Sequence, residues 1–335
     1  MQIDHQYVAS VRWSNRQFAR VDALHSTWIH FQKCYSTFQE LFTGPILTVW
    51  KNRRGSSNII FLDIACAPGG FSQFLLDAFP NCHGFGITLP EHLGGFPVQI
   101  CDPRFHLAYF DLLTHPIDFS PQMECLADIV IGDAQYFPRN SGDQYGGKMA
   151  GTVTGGRLGL LLREFILGFE SLNSGGIFIF RFVAWDNIHA NILKLFYLCF
   201  ELFDDAVVPF KSEYQHTADC TFYAVCSGFN RQKYLDLDID TLLKIAFARV
   251  VLSPPFAAVH NGTVNCVQVI KSHSDENNLP VLDKPDAHIL ENLFPFKTIK
   301  EHVYFEKCCD MFTYVYKMFL IGKSSYTDHH PIHTA

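Results

Sequence analysis

The stretch from Ile59 to Phe79 constrains the fold more than any other part of the sequence. A compact apolar run, Ile59 to Ile64, carries Asp63 near its end, and small residues and two glycines follow it. Phe71 to Phe79 then has apolar residues at helical spacing. Short apolar runs bounded by turn residues are typical of buried strands, and a spacing of three and four is typical of a helix on a core. The predicted order is strand, tight turn, helix.

The same alternation continues along the chain and predicts one large α/β sheet. Further apolar runs predict strands at His83 to Ile87, Phe105 to Phe110, Asp128 to Gly132, Gly176 to Val183, Ala206 to Phe210 and Thr221 to Cys226. Longer periodic stretches predict helices at Arg157 to Leu172 and Asn187 to Phe203. Strands that alternate with helices favour a seven-stranded, mostly parallel sheet with helices on both faces.

Three parts of the chain are distinguished by their patterns. Residues 1–55 are predicted to form an N-terminal helical cap, with a helix at Trp28 to Phe42, and residues 56–230 the core domain. Residues 231–335 are predicted to form an appended lobe of unknown role, with helices at Ile239 to Val251 and Val303 to Phe319. The periodic pattern weakens beyond residue 236, so the sheet is expected to close before it.

Net charge limits the partners of the chain. The formal net charge is −7 and the sequence pI is about 6.1, so the summed field repels a polyanion unless basic residues gather on one face. DNA is therefore not expected as a partner. A local basic groove stays possible at Lys51, Arg53 and Arg54, and near Arg157 and Arg163.

Cysteine usage and hydropathy suggest the compartment. Eleven cysteines are present without a CxxC pair, so neither a zinc site nor a disulfide framework is expected. Reduced thiols and the lack of an apolar run of membrane-spanning length favour a soluble cytoplasmic or nuclear protein. No metal is expected, and the oligomeric state stays open.

The turn Asp63-Ile-Ala-Cys-Ala-Pro-Gly-Gly70 lies where open α/β sheets bind ligands. Its small residues leave the backbone accessible, and the free amides at the start of the next helix attract a carboxylate. Asp63 can accept a hydrogen bond from an ammonium. These features suit a cofactor that carries an amino acid, and the GxGxxG pattern of dinucleotide binders is missing.

The wider segment Phe61-Leu-Asp-Ile-Ala-Cys-Ala-Pro-Gly-Gly-Phe-Ser-Gln73 closely resembles the first motif of FtsJ-like (RrmJ-type) ribose 2'-O-methyltransferases. The resemblance continues through Gly86 to Pro90, Asp128 to Asp133 and Leu172 to Phe180. It implies a Rossmann-like class I methyltransferase fold and S-adenosyl-L-methionine as cofactor.

The resemblance also implies which residues contact the cofactor. The methionine end is expected at Asp63 and the following loop, and the adenine near Asp111. No acid stands where the family has its ribose-binding one, and Thr88 and Glu91 are the neighbours of that position. The implied cofactor-binding residues are Asp63, Ala65, Cys66, Ala67, Pro68, Gly69, Gly70, Phe71, Thr88, Asp111 and Asp133.

Family members use a Lys-Asp-Lys-Glu tetrad to remove the proton of a sugar hydroxyl. Lys33 matches the first lysine, and Asp133 matches the aspartate. Arg181 stands where the second lysine is expected and cannot serve as a base, because arginine stays protonated. The glutamate position falls on Thr221, although Asp219 lies two residues earlier and can replace it.

These departures leave three functions open. The first is an RNA ribose 2'-O-methyltransferase with an altered tetrad. The second is a methyltransferase for a small molecule or a protein N or O atom, and the third is a silent module that binds S-adenosylmethionine or RNA. Four further residues are expected near the presumed active face, Tyr136, Tyr145, His189 and His216, and a histidine there can replace the base near neutral pH.

Overall fold

A computed structural model of the chain describes the helices and strands of the predicted core. The described residues are 23–54, 58–116, 123, 125–135, 150–183, 190–212, 221–251, 303–304, 306–311, 314 and 318. The elements are α1 (Ala23–Thr43), α2 (Pro45–Arg54), β1 (Ile59–Ile64), α3 (Gly70–Ala78), β2 (Cys82–Thr88), a 3-10 turn (Glu91–Leu93), β3 (Phe105–Tyr109), β4 (Ala127–Gly132), α4 (Ala150–Ser171), β5 (Leu172–Val183), α5 (Ala190–Leu202), β6 (Phe203–Phe210), β7 (Thr221–Phe229), α6 (Arg231–Asp236) and α7 (Ile239–Val251).

The seven strands form one sheet in the order β3-β2-β1-β4-β5-β7-β6. The first five are parallel to one another, and β7 runs antiparallel to both β5 and β6. The predicted seven-stranded, mostly parallel sheet is confirmed. Because β1 pairs with both β2 and β4, the chain changes direction across the sheet at β1, which places a ligand crevice at the carboxyl ends of β1 and β4.

The two faces of the sheet are covered by different helices. On β1, Ile59 and Phe61 belong to the cluster with α1, α2 and α3, whereas Leu62 and Ile64 belong to the cluster with α4, α5 and α7. Both sets are buried, as expected for a central parallel strand with helices on each side. This explains why β1 is a nearly continuous apolar run rather than an alternating one.

Two short helices, α2 and α6, were not predicted as separate elements. Pro45 begins α2, and proline fits the first turn of a helix because no intrahelical partner is available for its nitrogen there. Helix α6 begins after Asn230, whose side chain accepts a hydrogen bond from the backbone nitrogen of Lys233. Both are ordinary helix starts that a search for long periodic stretches passes over.

Residues after the sheet pack on the same core. Leu243 and Phe247 of α7 are fully buried against the cluster that contains α4, and Tyr304, Cys308 and Met311 belong to that cluster as well. The predicted helix at Ile239 to Val251 is confirmed. The division of the chain at residue 231 stays a prediction. No helix in the described part of the chain is long and apolar enough to cross a membrane.

Helices α1 and α3 approach each other closely at Gly70. A Cβ atom at this position would lie 2.1 Å from the carbonyl oxygen of Phe31 and 2.7 Å from the Cβ of Cys34. Backbone atoms of a packed helix cannot move aside to relieve a clash, whereas the end of a flexible side chain can. Glycine at residue 70 therefore sets the distance at which α1 crosses the start of α3.

Gly70→Ala is expected to destabilise the protein by about 3 kcal/mol, near the upper end of the cost of overpacking a core. Alanine is the better helix former by about 1 kcal/mol, so any loss of stability measures the clash. Denaturant unfolding checks this. The control is Gly94→Ala, where φ is +94° but no atom lies within 4 Å of the added Cβ. A loss for Gly70→Ala no larger than that of the control would contradict the packing argument.

Candidate active site

The predicted cofactor loop, residues 65–69, lies between the end of β1 and the start of α3 and is tied to the neighbouring strand and loop. The backbone nitrogen of Cys66 donates to the carbonyl of Ile87 at 2.9 Å, and that of Gln99 donates to the carbonyl of Pro68 at 2.9 Å. The loop is thus fixed at the carboxyl edge of β1 and β2. This is the edge at which open α/β sheets bind ligands.

Asp63 joins the end of β1 to the first turn of α3. Its Oδ2 accepts a hydrogen bond from Ser72 Oγ at 2.6 Å, and its carboxylate also accepts one from the backbone nitrogen of Ser72. Gly69, the residue that precedes α3, has no side chain with which to cap the helix. Asp63 therefore supplies the cap from the neighbouring strand.

The second oxygen of Asp63 is left for another partner. Asp63 is fully buried, and its Oδ1 has no hydrogen-bond partner within the described residues. Burial raises the pKa of this carboxyl to about 7, the bonds from Ser72 lower it and the nearby charge of Asp133 raises it further. A buried acceptor without a partner is uncommon in proteins and fits a positively charged donor such as an ammonium.

The glycines of the loop allow neighbouring side chains and helices to pack closely against it. This corrects the expectation that their lack of bulk leaves room for a ligand. Gly69 has a φ of +109°, and a Cβ there would lie 2.6 Å from the side chain of Ile100. The space beside Gly70 is filled by α1. Ala65 also has a positive φ, 66°, so the chain turns sharply directly after β1. The backbone amides at the start of α3 remain the feature that suits a carboxylate.

Thr88 and Asp111 lie at the carboxyl ends of β2 and β3. Both are buried. The carbonyl of Thr88 accepts from the backbone nitrogen of Phe110 at 3.0 Å, and Asp111 Oδ1 accepts from that of Leu113 at 3.0 Å. Asp111 is therefore part of an ordered turn beside the end of β2. Glu91, in contrast, is exposed.

Asp133, which directly follows β4, and Arg181, near the end of β5, form an ion pair. Arg181 Nε lies 2.8 Å from Asp133 Oδ1, and the side chains are only 10% and 9% exposed. Arg181 Nη2 also donates to the carbonyl of Ala134 at 3.5 Å. Asp133 itself extends the sheet contact of β4, because its backbone nitrogen donates to the carbonyl of Ile64 at 3.2 Å. The two residues predicted at the centre of the tetrad are thus in contact.

Cys34 and Tyr223 are buried beside this pair and were not predicted. The pKa of each is raised by burial and then by the charge of Asp133, and Arg181 acts in the opposite direction on both. Cys34 lies on α1, and Tyr223 pairs with Arg181 across β5 and β7. No sequence signal singles out Cys34, but an antiparallel pairing of β5 with β7 would have placed Tyr223 opposite Arg181.

The resemblance assigns Lys33 and Thr221 to the two remaining tetrad positions. Lys33 is half-buried on α1 next to Cys34, and burial lowers its pKa. Thr221 is buried at the first residue of β7, and its carbonyl accepts from Lys211 Nζ at 2.8 Å. A lysine with a lowered pKa is a better base at neutral pH than an ordinary one. Threonine supplies no carboxylate at residue 221.

Several predicted residues lie outside the described part of the chain. These are Asp219, Tyr136, Tyr145, His189 and His216. Among the residues that are described, no group of three or more histidine, cysteine or acidic side chains is arranged to hold a metal ion.

Arg163 does not contribute to a basic surface groove, in contrast to the expectation from the sequence. Its side chain is fully buried, Nη2 donates to the carbonyl of Pro116 at 2.8 Å, and the guanidinium lies 5.7 Å from the centre of the Phe247 ring. Arg157 and Lys51 are exposed. The basic surface near α4 is therefore smaller than the count of basic residues predicts.

The family model of FtsJ-like methyltransferases matches residues 44–229, more than half of the chain. The chain belongs to the FtsJ-like methyltransferase family. It is an S-adenosylmethionine-dependent methyltransferase with the Rossmann-like class I fold, and the predicted family is confirmed. A search of curated proteins gives no match.

Solved structures of methyltransferases are similar over about half of the chain. A Plasmodium falciparum protein assigned as a ribosomal RNA methyltransferase is 18% identical, covering 55% of this chain and 94% of its own, with a TM-score of 0.36. The N-methyltransferase NodS of Bradyrhizobium japonicum is 15% identical, covering 58% and 97%, with a TM-score of 0.33. Similarities this low do not identify the acceptor.

The residues at the carboxyl edge fit S-adenosylmethionine. Asp63 Oδ1 is a buried acceptor without a partner in the described chain, which suits the ammonium of the methionine part. The amides at the start of α3 suit its carboxylate, and Thr88 and Asp111 stand where ribose and adenine contacts are expected. The individual contacts of these residues with the cofactor stay predictions.

Asp63→Asn is expected to weaken the binding of S-adenosylmethionine about 10- to 100-fold, the value of a charge-assisted hydrogen bond. In the wild type the affinity should rise between pH 5.5 and 7.5, because only the ionised carboxyl holds an ammonium and its pKa is raised to about 7. The variant should lose this pH dependence. Titration calorimetry measures both effects.

Asp77→Asn is the matched control, because Asp77 is an exposed acid on the same helix that accepts hydrogen bonds from Tyr35 and Gln73. Its variant should bind the cofactor as the wild type does. Undiminished affinity of Asp63→Asn at pH 7.5 would rule out the contact with the ammonium.

Proposed function

We propose that the chain transfers a methyl group from S-adenosylmethionine to a ribose 2'-hydroxyl of RNA. The observation that carries the proposal is the contact of Asp133 with Arg181 at 2.8 Å, beside the cofactor loop and at the carboxyl edge of β4 and β5. Asp133 stands at the position of the family's catalytic aspartate. The resemblance of the first motif to that of ribose 2'-O-methyltransferases supports RNA as the acceptor, but a fold alone does not assign a substrate.

Lys33 is the base in this proposal. The cofactor, when bound, supplies an electrophilic methyl group on its sulfonium. A sugar hydroxyl is a weak nucleophile, so its proton must be taken up as the new O–C bond forms. Burial lowers the pKa of Lys33, which increases the fraction of neutral amine available to accept that proton at Nζ. Arg181 keeps its charge and cannot take this role.

Asp133 and Arg181 orient the reacting groups. The carboxylate of Asp133 is held by Arg181 Nε, and both side chains are about one-tenth exposed. In such surroundings charged groups act strongly on one another and on a bound substrate. The guanidinium presents further donors from a planar frame, which suits an oxygen of the acceptor or the charge that develops on it.

The labelling experiment described below also detects methyl acceptors of other classes. Arginine in place of the second lysine is the observation that favours a more nucleophilic amine or phenol, because such an acceptor needs less help from a base. A module that binds the cofactor without transfer is the third outcome. The compartment proposed is the cytoplasm or the nucleus, where RNA is available.

Asp133→Ala is expected to reduce methyl transfer on the order of 100-fold or more, because the variant leaves the Arg181 guanidinium without its carboxylate. The measurement is transfer of labelled methyl into a cell extract separated into RNA, protein and small molecules. Labelled RNA is then digested to nucleosides to distinguish ribose from base methylation. Label in protein or small molecules, or in RNA bases, would contradict the proposed acceptor.

Lys33→Arg is expected to abolish transfer, since it keeps the charge but removes the base, whereas Arg181→Lys, which keeps a charge but loses the planar group that holds Asp133 and Ala134, should retain part of the activity. The wild-type rate should rise between pH 6 and 7.5, because the neutral form of Lys33 is the active one. Lys51→Ala is the control, because this exposed lysine lies over Phe79, beyond the opposite end of α3. Full activity of Lys33→Arg would show that another group is the base.

A further inference from the structure

Glu164 is an acidic residue next to Arg163 in the mainly apolar part of α4. It lies on α4 between Leu160 and Phe169, which are buried in the main core, and it is itself 2% exposed. Gly132 at the end of β4 makes its position possible, because a Cβ at residue 132 would lie 3.0 Å from the carboxyl carbon of Glu164. A charged group at such a place is costly unless it has a specific partner.

The partner of Glu164 is the peptide that follows Asp133. Glu164 Oε1 accepts a hydrogen bond from the backbone nitrogen of Ala134 at 2.5 Å. The carbonyl oxygen of Ala134 accepts a hydrogen bond from Arg181 Nη2. Nε of the same guanidinium forms the ion pair with Asp133. Residue 134 is thus held from both sides, by Glu164 through its nitrogen and by Arg181 through its oxygen.

We infer that Glu164 supplies, from α4, a second carboxyl group beside the catalytic centre and acts as a positioning residue for the Asp133–Arg181 pair. The inference rests on the proposed function in that Asp133 is assigned to methyl transfer. It goes beyond that function because Thr221, at the position of the family's glutamate, offers no carboxylate, whereas Glu164 approaches the pair from a helix.

The electrostatics agree with this geometry. Burial raises the pKa of Glu164 to about 8, the bond from Ala134 lowers it, Asp133 raises it and Arg181 lowers it. Among the described residues, these are the charged groups that face Glu164, Asp133 directly after β4 and Arg181 near the end of β5. At neutral pH the carboxyl of Glu164 is protonated, so Arg181 is left as the ion-pair partner of Asp133. Above pH 8 the ionised carboxyl of Glu164 competes with Asp133 for the same guanidinium.

Glu164→Gln tests the inference, because its amide oxygen can still accept from Ala134 while the ionisation is lost. The ratio of the variant's kcat to that of the wild type should rise with pH, by about tenfold between one unit below and one unit above the carboxyl's pKa of about 8. Titration of Lys33 cancels in this ratio. A ratio that is constant from pH 6 to 9 would overturn the inference.

Glu164→Ala tests positioning directly. It removes the acceptor for the Ala134 nitrogen, so kcat should fall at least tenfold at neutral pH with little change in cofactor affinity, and Glu164→Gln should restore it. The control is Glu170→Gln, because Glu170 lies on the same helix but pairs with Lys244 at 2.6 Å. Wild-type kcat in Glu164→Ala would show that Glu164 does not position the pair.

A second measurement separates this inference from the proposed function. If no fraction of the extract is methylated, thermal unfolding of Glu164→Ala, which removes the acceptor for the Ala134 nitrogen, of Arg181→Met and of the double variant still decides it. If Glu164 and Arg181 interact through Ala134, the melting-temperature shifts of the two single variants should not sum to the shift of the double variant. The shifts of Glu170→Gln and Arg181→Met should sum to that of their double variant. Additive shifts for the pair of Glu164 and Arg181 would overturn the inference even in an active enzyme.

Discussion

Burial of acidic side chains at the carboxyl edge of the sheet is the constraint on which the site depends. Asp63 and Glu164 are almost completely shielded from water, and Asp133 is about one-tenth exposed. Carboxylates in such surroundings are costly unless each has a donor. Ser72 donates a hydrogen bond to Asp63 and Ala134 donates one to Glu164, whereas Asp133 forms an ion pair with Arg181. The loops at this edge are ordered by these donors as much as by apolar contacts.

Arginine at residue 181 changes the proton-transfer chemistry available at the carboxyl edge of the sheet. A lysine there could exchange its proton, whereas arginine keeps its charge and binds through a rigid planar group. The guanidinium holds Asp133 with Nε and the carbonyl of Ala134 with Nη2, which one ammonium on a flexible stem would not hold in the same fixed arrangement. Proton transfer then falls to a different side chain, and Lys33 on α1 has the lowered pKa that this requires.

The sequence predicts the sheet well because strand and helix periods are local properties. Every strand that was expected from an apolar run is present, and the helix expected at Trp28 to Phe42 lies within Ala23–Thr43. The short helix α2 was missed, since ten residues with few apolar positions give little periodic signal. The first cofactor motif was found because its spacing is unusual, and Asp133 because it ends a buried strand.

Contacts between elements could not be predicted in this way. Gly70 was expected to leave space for a ligand, but the space is filled by α1, which depends on how two helices cross. The sequence places the charged residues Arg163 and Glu164 next to each other among apolar residues of a helix, and this signal was not used to predict the site. Charged residues that are buried in this way need partners. Only the structure identifies these partners, the carbonyl of Pro116 for Arg163 and the nitrogen of Ala134 for Glu164. A buried charge therefore indicates that a partner exists, while the fold determines whether that partner belongs to the core or to the catalytic centre.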